Sequence, residues 1–209
     1  MPCSPTPGAR KKRRIRRRIL GLPDHSVVLA EDETELRLFP PLRAAWSLKG
    51  HPSRVRLSGR NDRRVIFGAM NLMSGCRLFL AREDGRAPDF QAFLRRIHDF
   101  YRRWHVALVL DENPSHTAGR STGLAEELGI DLLWLPNRAP ELNPMDTLWG
   151  QGKDVISANR QDVTIDIQAD RFIGFLSGLS DARALHTAGV LSGKFWLKRT
   201  LSKKFCDPA

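Results

Sequence analysis

Two stretches of the sequence join an apolar, β-branched run to an acidic end. The segment SVVLAEDE (26–33) contains Asp32, and HVALVLDEN (105–113) contains Asp111. Each run is long enough for one strand and shows no polar alternation, which is typical of the buried central strands of an α/β sheet. The chain is therefore constrained to place two carboxylates at the ends of buried strands.

The remaining segments complete an α/β order. RVIFGAMNLMSGCRLFLAREDG (64–85) predicts a two-stranded hairpin, AAWSLKG (44–50) a short strand, and IDLLWLP (130–136) a further strand. Helices are predicted over residues 88–104, 115–129, 143–159 and most of 164–204, the first from its period of three to four residues. Strands that alternate with helices after a hairpin predict an α/β fold, a mixed sheet flanked by helices with a helical C-terminal segment.

The positive charge is concentrated near the start of the chain. The net charge is +11, and residues 10–18 (RKKRRIRRR) hold eight of the 34 Lys and Arg residues. Because like charges repel, residues 1–22 are predicted to be a disordered basic leader, followed by a core over 23–162 and a helical segment over 163–209 that completes the domain. The basic run predicts contact with nucleic-acid phosphates. Its predicted contacts are Arg10, Lys11, Lys12, Arg13, Arg14, Arg16, Arg17 and Arg18.

Cysteine usage and hydropathy indicate the compartment. Cys3, Cys76 and Cys206 share no metal-binding spacing and are odd in number, which favours a reducing environment. No apolar run approaches the roughly 20 residues needed to span a bilayer, and no signal peptide is evident. We expect a cytoplasmic, nucleoid-associated protein without a membrane partner.

The strand-end acids suggest a metal site. In open α/β sheets, ligands gather at the carboxyl ends of strands, and neighbouring strands would place Asp32 and Asp111 side by side. Asp146, near the start of the helix predicted over 143–159, would complete the cluster. Carboxylate oxygens suit Mg²⁺ or Mn²⁺, and two such ions about 4 Å apart can promote phosphodiester cleavage. The alternative is that each strand-end acid only caps the helix that follows it.

Three motifs, taken in order, resemble one family. VVLAEDETELRLFPPLRAAWSLKG, ALVLDENPSHTA and LPNRAPELNPMDTLWGQGK are similar to the catalytic domain of mariner-like transposases, in the bacterial insertion-sequence branch. The resemblance extends over about residues 26–160 and leaves 34 residues between Asp111 and Asp146, the spacing of such enzymes. Most of that branch has Glu where this chain has Asp146.

The resemblance implies an RNase H-like fold and a DDE-type transposase/endonuclease. It implies that Asp32, Asp111 and Asp146 are the catalytic acids and bind two Mg²⁺ ions, with Mn²⁺ able to substitute. The implied reaction is phosphodiester hydrolysis at transposon ends followed by strand transfer into target DNA. The implied partner is double-stranded DNA, bound by a homodimer. Lys49 and His116 match family positions and are predicted DNA contacts, with orientation of a carboxylate as the alternative for His116.

The neighbours of the catalytic acids have a different expected role. Glu33 and Glu112 directly follow Asp32 and Asp111, so on a strand they would point to the opposite side, and each is expected to be a helper or loop residue and not a metal ligand. The tryptophans Trp46, Trp104 and Trp134 are predicted to be core residues, with a base-stacking platform as the alternative for Trp46, and Trp149 is predicted to pack its helix on the sheet.

Full-length relatives carry N-terminal helix-turn-helix modules that recognise transposon ends. About 25 residues precede the first predicted strand, too few for such a module, so we expect that recognition of transposon ends is absent or is supplied by a separate helix-turn-helix chain. Two alternatives remain open: a metal-dependent nuclease of the same fold without strand transfer, and an inactive remnant that binds DNA.

Overall fold

The structure is a computed structural model that describes residues 6–51, 54–55 and 57–205. Its centre is one five-stranded sheet. The strands are β1 (Ser26–Arg37), β2 (Arg63–Asn71), β3 (Arg77–Arg82), β4 (His105–Leu110) and β5 (Ile130–Trp134). The spatial order β3-β2-β1-β4-β5 places the two acid-ended strands next to each other. The predicted mixed sheet is therefore present.

The register of the sheet determines where the acids lie. β1 pairs antiparallel with β2, which in turn pairs antiparallel with β3, whereas β4 runs parallel to both β1 and β5. The last parallel pair between β1 and β4 is Ala30 with Val109. Asp32 and Asp111 each lie two positions beyond that pair, so the register brings them side by side. β4 ends at Leu110, but β1 continues through Asp32 to Arg37 by pairing with β2, which corrects the prediction that Asp32 lies at the end of its strand.

Helices cover both faces of the sheet. They are α1 (Pro7–Leu20), α2 (Ala87–Phe100), α3 (Pro114–Thr117), α4 (Gly119–Glu127), α5 (Pro144–Gly152), α6 (Ile165–Gly178), α7 (Asp181–Thr187) and α8 (Lys198–Phe205). A single π-helical turn, Lys153–Ser157, extends α5. No helix among the described residues is both long and apolar enough to cross a membrane.

The core is divided by the sheet into two clusters. Alternate residues of β1 face opposite sides, so Val28 and Ala30 join one cluster and Val27 and Leu29 the other. The first cluster contains apolar residues of α1, α5, α6, α7 and α8, and the second contains those of α2 and α4. The C-terminal helices thus pack in the same cluster as the helix that carries Asp146.

The basic leader is a helix where it is described, which corrects the prediction of disorder. In α1, Ile15 is 3% exposed and Ile19 is fully buried. These residues are four apart and form one narrow apolar stripe, which packs in the first cluster while most of the arginines point to solvent. Thr6 caps the helix by accepting a hydrogen bond from the Ala9 amide. Cys3 and Cys206 lie outside the described residues.

The segment between β1 and β2 also differs from its prediction. AAWSLKG (44–50) forms no strand, and the described residues between Phe39 and Asp62 are irregular. Trp46 is completely exposed, at 103% of its reference area, and Trp104 is 48% exposed, so their predicted core positions are wrong. Trp134 does pack, partly buried, against the second cluster. Sequence periodicity and residue type could not separate the partly buried tryptophan from the two exposed ones, because the burial of each ring depends on which elements pack over it.

Candidate active site

Asp32, Asp111 and Asp146 line one open cavity of about 590 Å³. Asp32 lies within β1, Asp111 directly follows β4, and Asp146 is in the first turn of α5. Asp32 is half-buried, whereas Asp111 and Asp146 are exposed. The structure therefore brings together the three acids that were predicted from the sequence.

Asn143 determines how α5 approaches β1. Its side-chain oxygen accepts a hydrogen bond from the Met145 amide at 3.2 Å and caps the helix, and Pro144 occupies the first helical position. Its Nδ2 donates to the backbone carbonyl of Glu31 over 2.7 Å. One amide thus starts the helix and ties that start to the strand residue next to Asp32. This strand contact could not be found from the sequence.

Trp149 joins α5 to the sheet at Asp32. The indole is 3% exposed and, as predicted, packs its helix on the sheet. Its Nε1 donates to Asp32 Oδ2 over 3.0 Å. The ring lies over Gly68, the β2 partner of Asp32, where an added Cβ would come within 2.8 Å of Trp149 Cζ2. Only glycine leaves this ring enough room, so the orientation of Asp32 depends on both neighbours.

The surroundings shift the pKa values of Asp32 and Asp111 in opposite directions. Burial raises the pKa of Asp32 to about 7; the charge of Glu33 adds to this rise, the hydrogen bond from Trp149 opposes it, and Asp111 and Asp146 raise it further. The pKa of Asp111 is lowered, chiefly by a hydrogen bond from His116, against burial and with help from the Asn113 amide. Mutual repulsion at Asp32 is relieved when a cation binds between the carboxylates.

His116 is fully buried, which corrects its prediction as a DNA contact. Its Nδ1 lies 3.0 Å from Asp111 Oδ1, and its ring centroid lies 4.3 Å from that of Phe90. The side chain therefore lies beneath Asp111 and orients it, which was the alternative left open for this residue.

Three buried groups beside the cavity were not predicted as a set. Glu31 has no exposed surface. His116 of α3 lies next to it, against the same face of β1. Glu33 accepts a hydrogen bond from Asn113 Nδ2. Burial raises the pKa of Glu31 well above its usual value, with His116 opposing. Burial lowers the pKa of His116, but the charge of Glu31 and the close carboxylates of Asp111 and Glu33 outweigh it and raise that pKa to about 11. Strand alternation already placed Glu31 with Val27 and Leu29 on a buried face.

Glu33 and Glu112 have different positions. Glu33 points to the face of β1 opposite Asp32, as predicted. Glu112 lines the cavity beside Asp111, so the prediction that it points away is wrong. Its carboxylate forms an ion pair with Lys11 Nζ at 2.7 Å. The chain leaves the strand after Leu110, and alternation therefore no longer governs the direction of Glu112.

The basic residues of α1 lie beside this cavity. Lys11 reaches Glu112, Arg18 reaches Asp131 of β5 at 3.0 Å, and Arg16 donates to the Trp196 carbonyl at 2.7 Å. Lys11 and Lys12 are half-buried. The exposed members of the run are Arg10, Arg13, Arg14, Arg16, Arg17 and Arg18. Lys49 is exposed in the irregular segment after β1, so all the basic residues predicted to bind DNA remain accessible to some degree.

Lys153 is a further residue that the sequence did not single out. It begins the π-helical turn after α5 and is half-buried. Burial lowers its pKa, whereas the charges of Asp146, Glu35 and Asp32 act in the opposite direction. Lys153 is thus within electrostatic reach of Asp146 and Asp32, but it lines a neighbouring cavity with Glu35 and not the cavity of the three acids.

The fold and the site together define an RNase H-like domain of the DDE class. The chain belongs to the DDE superfamily endonuclease family, whose model matches residues 27–166. This confirms the predicted family and fold. The chain is 27% identical over 136 residues to the insertion element IS630 uncharacterized 39 kDa protein of Shigella sonnei; the match covers 64% of this chain and 40% of that protein.

Solved structures share the fold at low sequence identity. The catalytic domain of Mos1 mariner transposase matches with a TM-score of 0.61 at 16% identity, over 98% of both chains. The Mos1 transposase paired-end complex with left transposon end matches with a TM-score of 0.67 at 15% identity, over 98% of this chain and 65% of that one. A Mos1 paired end complex with Mg matches with a TM-score of 0.68 at 16% identity, over 93% of this chain and 60% of that one. The chain thus spans less than two thirds of the relatives that are longer than a catalytic domain.

Proposed function

We propose that this chain is the catalytic domain of an insertion-sequence transposase. It would hydrolyse phosphodiester bonds at transposon ends and transfer the resulting 3′-hydroxyl ends into target DNA. The observation that carries the proposal is the convergence of Asp32, Asp111 and Asp146 on one cavity of a DDE-family fold. The Mos1 complexes with transposon-end DNA support a DNA substrate for this chain.

The donor set of the cavity fits divalent magnesium. Three carboxylates supply hard oxygen ligands, and their mutual repulsion contributes to the raised pKa of Asp32. Asp32, Asp111 and Asp146 would hold two Mg²⁺ ions, with Mn²⁺ able to substitute, as supported by Mos1 structures with either metal. When bound, such ions make a bound water more acidic and stabilise charge on the leaving oxygen.

The protein's own residues would position this chemistry. Trp149 holds one Asp32 oxygen from the α5 side, and His116 holds one Asp111 oxygen from below, which leaves each carboxylate a second oxygen to point into the cavity. Asn143 fixes the start of α5 and with it the position of Asp146. Preorganised ligands of this kind need little rearrangement when substrate arrives.

The basic surface supports a path for the DNA backbone. Arg14 and Arg18 lie on the same face of α1 as Lys11, and the three line a cavity with Glu112, which also borders the cavity of the three acids. Lys153 adds positive charge on the α5 side of the acids, and Lys49 lies on the segment after β1. Phosphates that enter the cavity would thus meet cations on both sides, which favours binding of a polyanion. We infer a homodimer on DNA.

A strand-transfer assay tests the proposal. Wild-type protein, Asp111→Asn and the control Glu127→Gln are incubated with a pre-cut transposon end, plasmid target and Mg²⁺ or Mn²⁺. Glu127 is an exposed carboxylate on α4, away from the cavity. We expect joined product from the wild type and the control, and at least a hundredfold less from Asp111→Asn, because loss of a metal-binding charge removes transition-state stabilisation.

Two outcomes would overturn parts of the proposal. If the wild type nicks DNA in the same metal-dependent way but never joins ends, the chain is a nuclease of the DDE class. If DNA binding is unchanged in Asp111→Asn and neither protein cleaves or joins, the domain is a DNA-binding remnant.

A further inference from the structure

Glu31, Glu33 and His116 form a compact group on the face of β1 opposite Asp32, here called the glutamate–histidine cluster. One carboxylate oxygen from each glutamate and one imidazole nitrogen all lie within 4.8 Å of one another. His116 Nε2 is 3.2 Å from Glu33 Oε2 and 3.7 Å from Glu31 Oε2. Among the described residues, no other group of three or more Asp, Glu, His or Cys side chains comes together as closely.

The other ring nitrogen of His116 is already engaged. Nδ1 lies 3.0 Å from Asp111 Oδ1 and 3.3 Å from the Asp111 backbone carbonyl, which can only accept a hydrogen bond. Nδ1 therefore keeps its proton, and Nε2, which faces the two glutamates, is the nitrogen whose proton a metal ion would displace. Metal-binding histidines are held in this way, with the second nitrogen donating to a carboxylate or carbonyl.

Glu31 lacks a hydrogen-bond partner in this position. It has no exposed surface, and among the described residues no donor has hydrogen-bond geometry to either of its oxygens. Glu33 Oε2 and His116 Nε2 lie 3.2 Å apart, close enough for an ion pair when the imidazole is protonated, but they are not aligned for a hydrogen bond. A buried, unpartnered carboxylate is strongly destabilising.

A metal ion satisfies all these atoms at once. Ligands bound at about 2.1 Å to a tetrahedral ion lie about 3.4 Å from one another, close to the spacings around Nε2. A proton on Nε2 could serve only one acceptor and would leave Glu31 unpartnered. Two carboxylates also balance the charge of a divalent cation.

We propose that Glu31, Glu33 and His116 bind a first-row transition-metal dication, with Zn²⁺ as its most direct probe. An imidazole with two carboxylates favours Zn²⁺ or Mn²⁺ over Mg²⁺, which prefers all-oxygen sites. The ion would link β1 to α3 beneath the active site, independently of the ions held by the three aspartates. This site does not depend on the proposed transposase activity.

Zinc counting on the full chain tests the site. After dialysis against EDTA, protein is given Zn²⁺ alone, and bound zinc is measured by mass spectrometry of the metal in wild type, Asp146→Asn, Glu31→Gln and Glu35→Gln. Asp146→Asn weakens the active-site ligand set, and Glu35→Gln is a matched control because Glu35 lies on the same strand but pairs with Arg37 and Arg63. We expect one tightly bound zinc in all except Glu31→Gln, which should bind it at least tenfold more weakly.

Equal zinc binding by Glu31→Gln and Glu35→Gln would overturn the proposal. If Glu31→Gln does not fold, the test passes to wild-type crystals soaked in Zn²⁺. An anomalous peak at the zinc edge between the three side chains would support the site. A map with no peak there would refute it and assign a proton to Nε2 as the counter-charge.

Discussion

Trp149 Nε1 donates a hydrogen bond to Asp32 Oδ2 over 3.0 Å, joining the helix that carries the third aspartate to the strand that carries the first. This bond favours the ionised form of Asp32 and opposes the burial that raises its pKa to about 7. The site thus has an indole that helps keep a crowded carboxylate charged.

We predict that Trp149→Phe raises the pKa of Asp32 and lowers activity at neutral pH. Phenylalanine keeps most of the packing but has no donor, and a hydrogen bond to a charged group contributes about 1.5–3 kcal/mol, so about a tenfold or larger loss is expected near pH 7. The acidic limb of the pH–rate profile should move to higher pH, with activity partly recovered at pH 8.5. An unshifted profile would show that the bond does not control the charge of Asp32.

We predict that Gly68→Ala destabilises the protein by about 1–3 kcal/mol, because its new Cβ would come within 2.8 Å of Trp149 Cζ2 and force the ring to move. Gly150→Ala is the matched control: it lies in α5, and its added Cβ meets nothing within 4 Å. Alanine there should be neutral or stabilising by about 0.5–1 kcal/mol. Urea unfolding of both variants measures the difference, and equal stabilities would contradict the packing argument.

The stability of the fold should depend on the charge of Asp32. Its folded-state pKa of about 7 lies above the ordinary value of 3.8, so the native state holds the proton more tightly than the unfolded state. The charge therefore destabilises the fold progressively as pH rises from about 4, with the full effect above about 7. We predict that Asp32→Asn, which can still accept the bond from Trp149, melts at a higher temperature than wild type at pH 8 in EDTA.

The gain in melting temperature should shrink toward pH 4, where the native carboxylate is protonated. Thermal unfolding followed by circular dichroism across this range measures it. A variant that melts below the wild type at every pH would show that Asp32 stabilises the fold instead. Such a cost at a functional residue is common where activity requires buried charge.

The convergence of Asp32, Asp111 and Asp146 on one cavity could be predicted because their signals are local. Asp32 and Asp111 end apolar runs, and Asp146 follows the Asn143–Pro144 helix start, so strand and helix rules place all three. The alternation of strands and helices after the hairpin predicts the mixed sheet, but the order of its five strands was not predicted. Long-range contacts, such as the bond from Asn143 to the Glu31 carbonyl, have no sequence signal.

The incorrect predictions share one cause: whether a residue is buried depends on which elements pack over it. Ile15 and Ile19 form a stripe of only two apolar residues in a basic run, and the run became a packed helix because the sheet and α8 provide a surface for it. Glu31 and His116 are buried because α2 and α3 cover that face of β1. Trp46, in contrast, lies on a segment with no element above it.

We predict that replacing Arg13, Arg14 and Arg17 with Gln weakens DNA binding without unfolding the protein. Each phosphate contact contributes about 0.9 to the slope of log K against log salt, so loss of three contacts should reduce that slope by about 2.7. The control is Arg95→Gln with Arg96→Gln, exposed residues of α2 on the other face of the sheet. Fluorescence anisotropy at several salt concentrations measures both, and equal slopes would exclude α1 from the DNA path.

We predict that Asn143→Asp lowers activity more than it lowers stability. Aspartate keeps the oxygen that caps α5 by accepting from the Met145 amide, but loses the Nδ2 donor to the Glu31 carbonyl and places a charge there. Because Asp146 has a short side chain, a small retreat of α5 should carry its carboxylate out of reach of the other two acids. We expect at least a tenfold loss of strand transfer with a melting temperature that falls only a few degrees. Asn143→Ala, which loses both the cap and the strand contact, should reduce both quantities. If Asn143→Asp remained fully active, the strand contact would not be what positions Asp146.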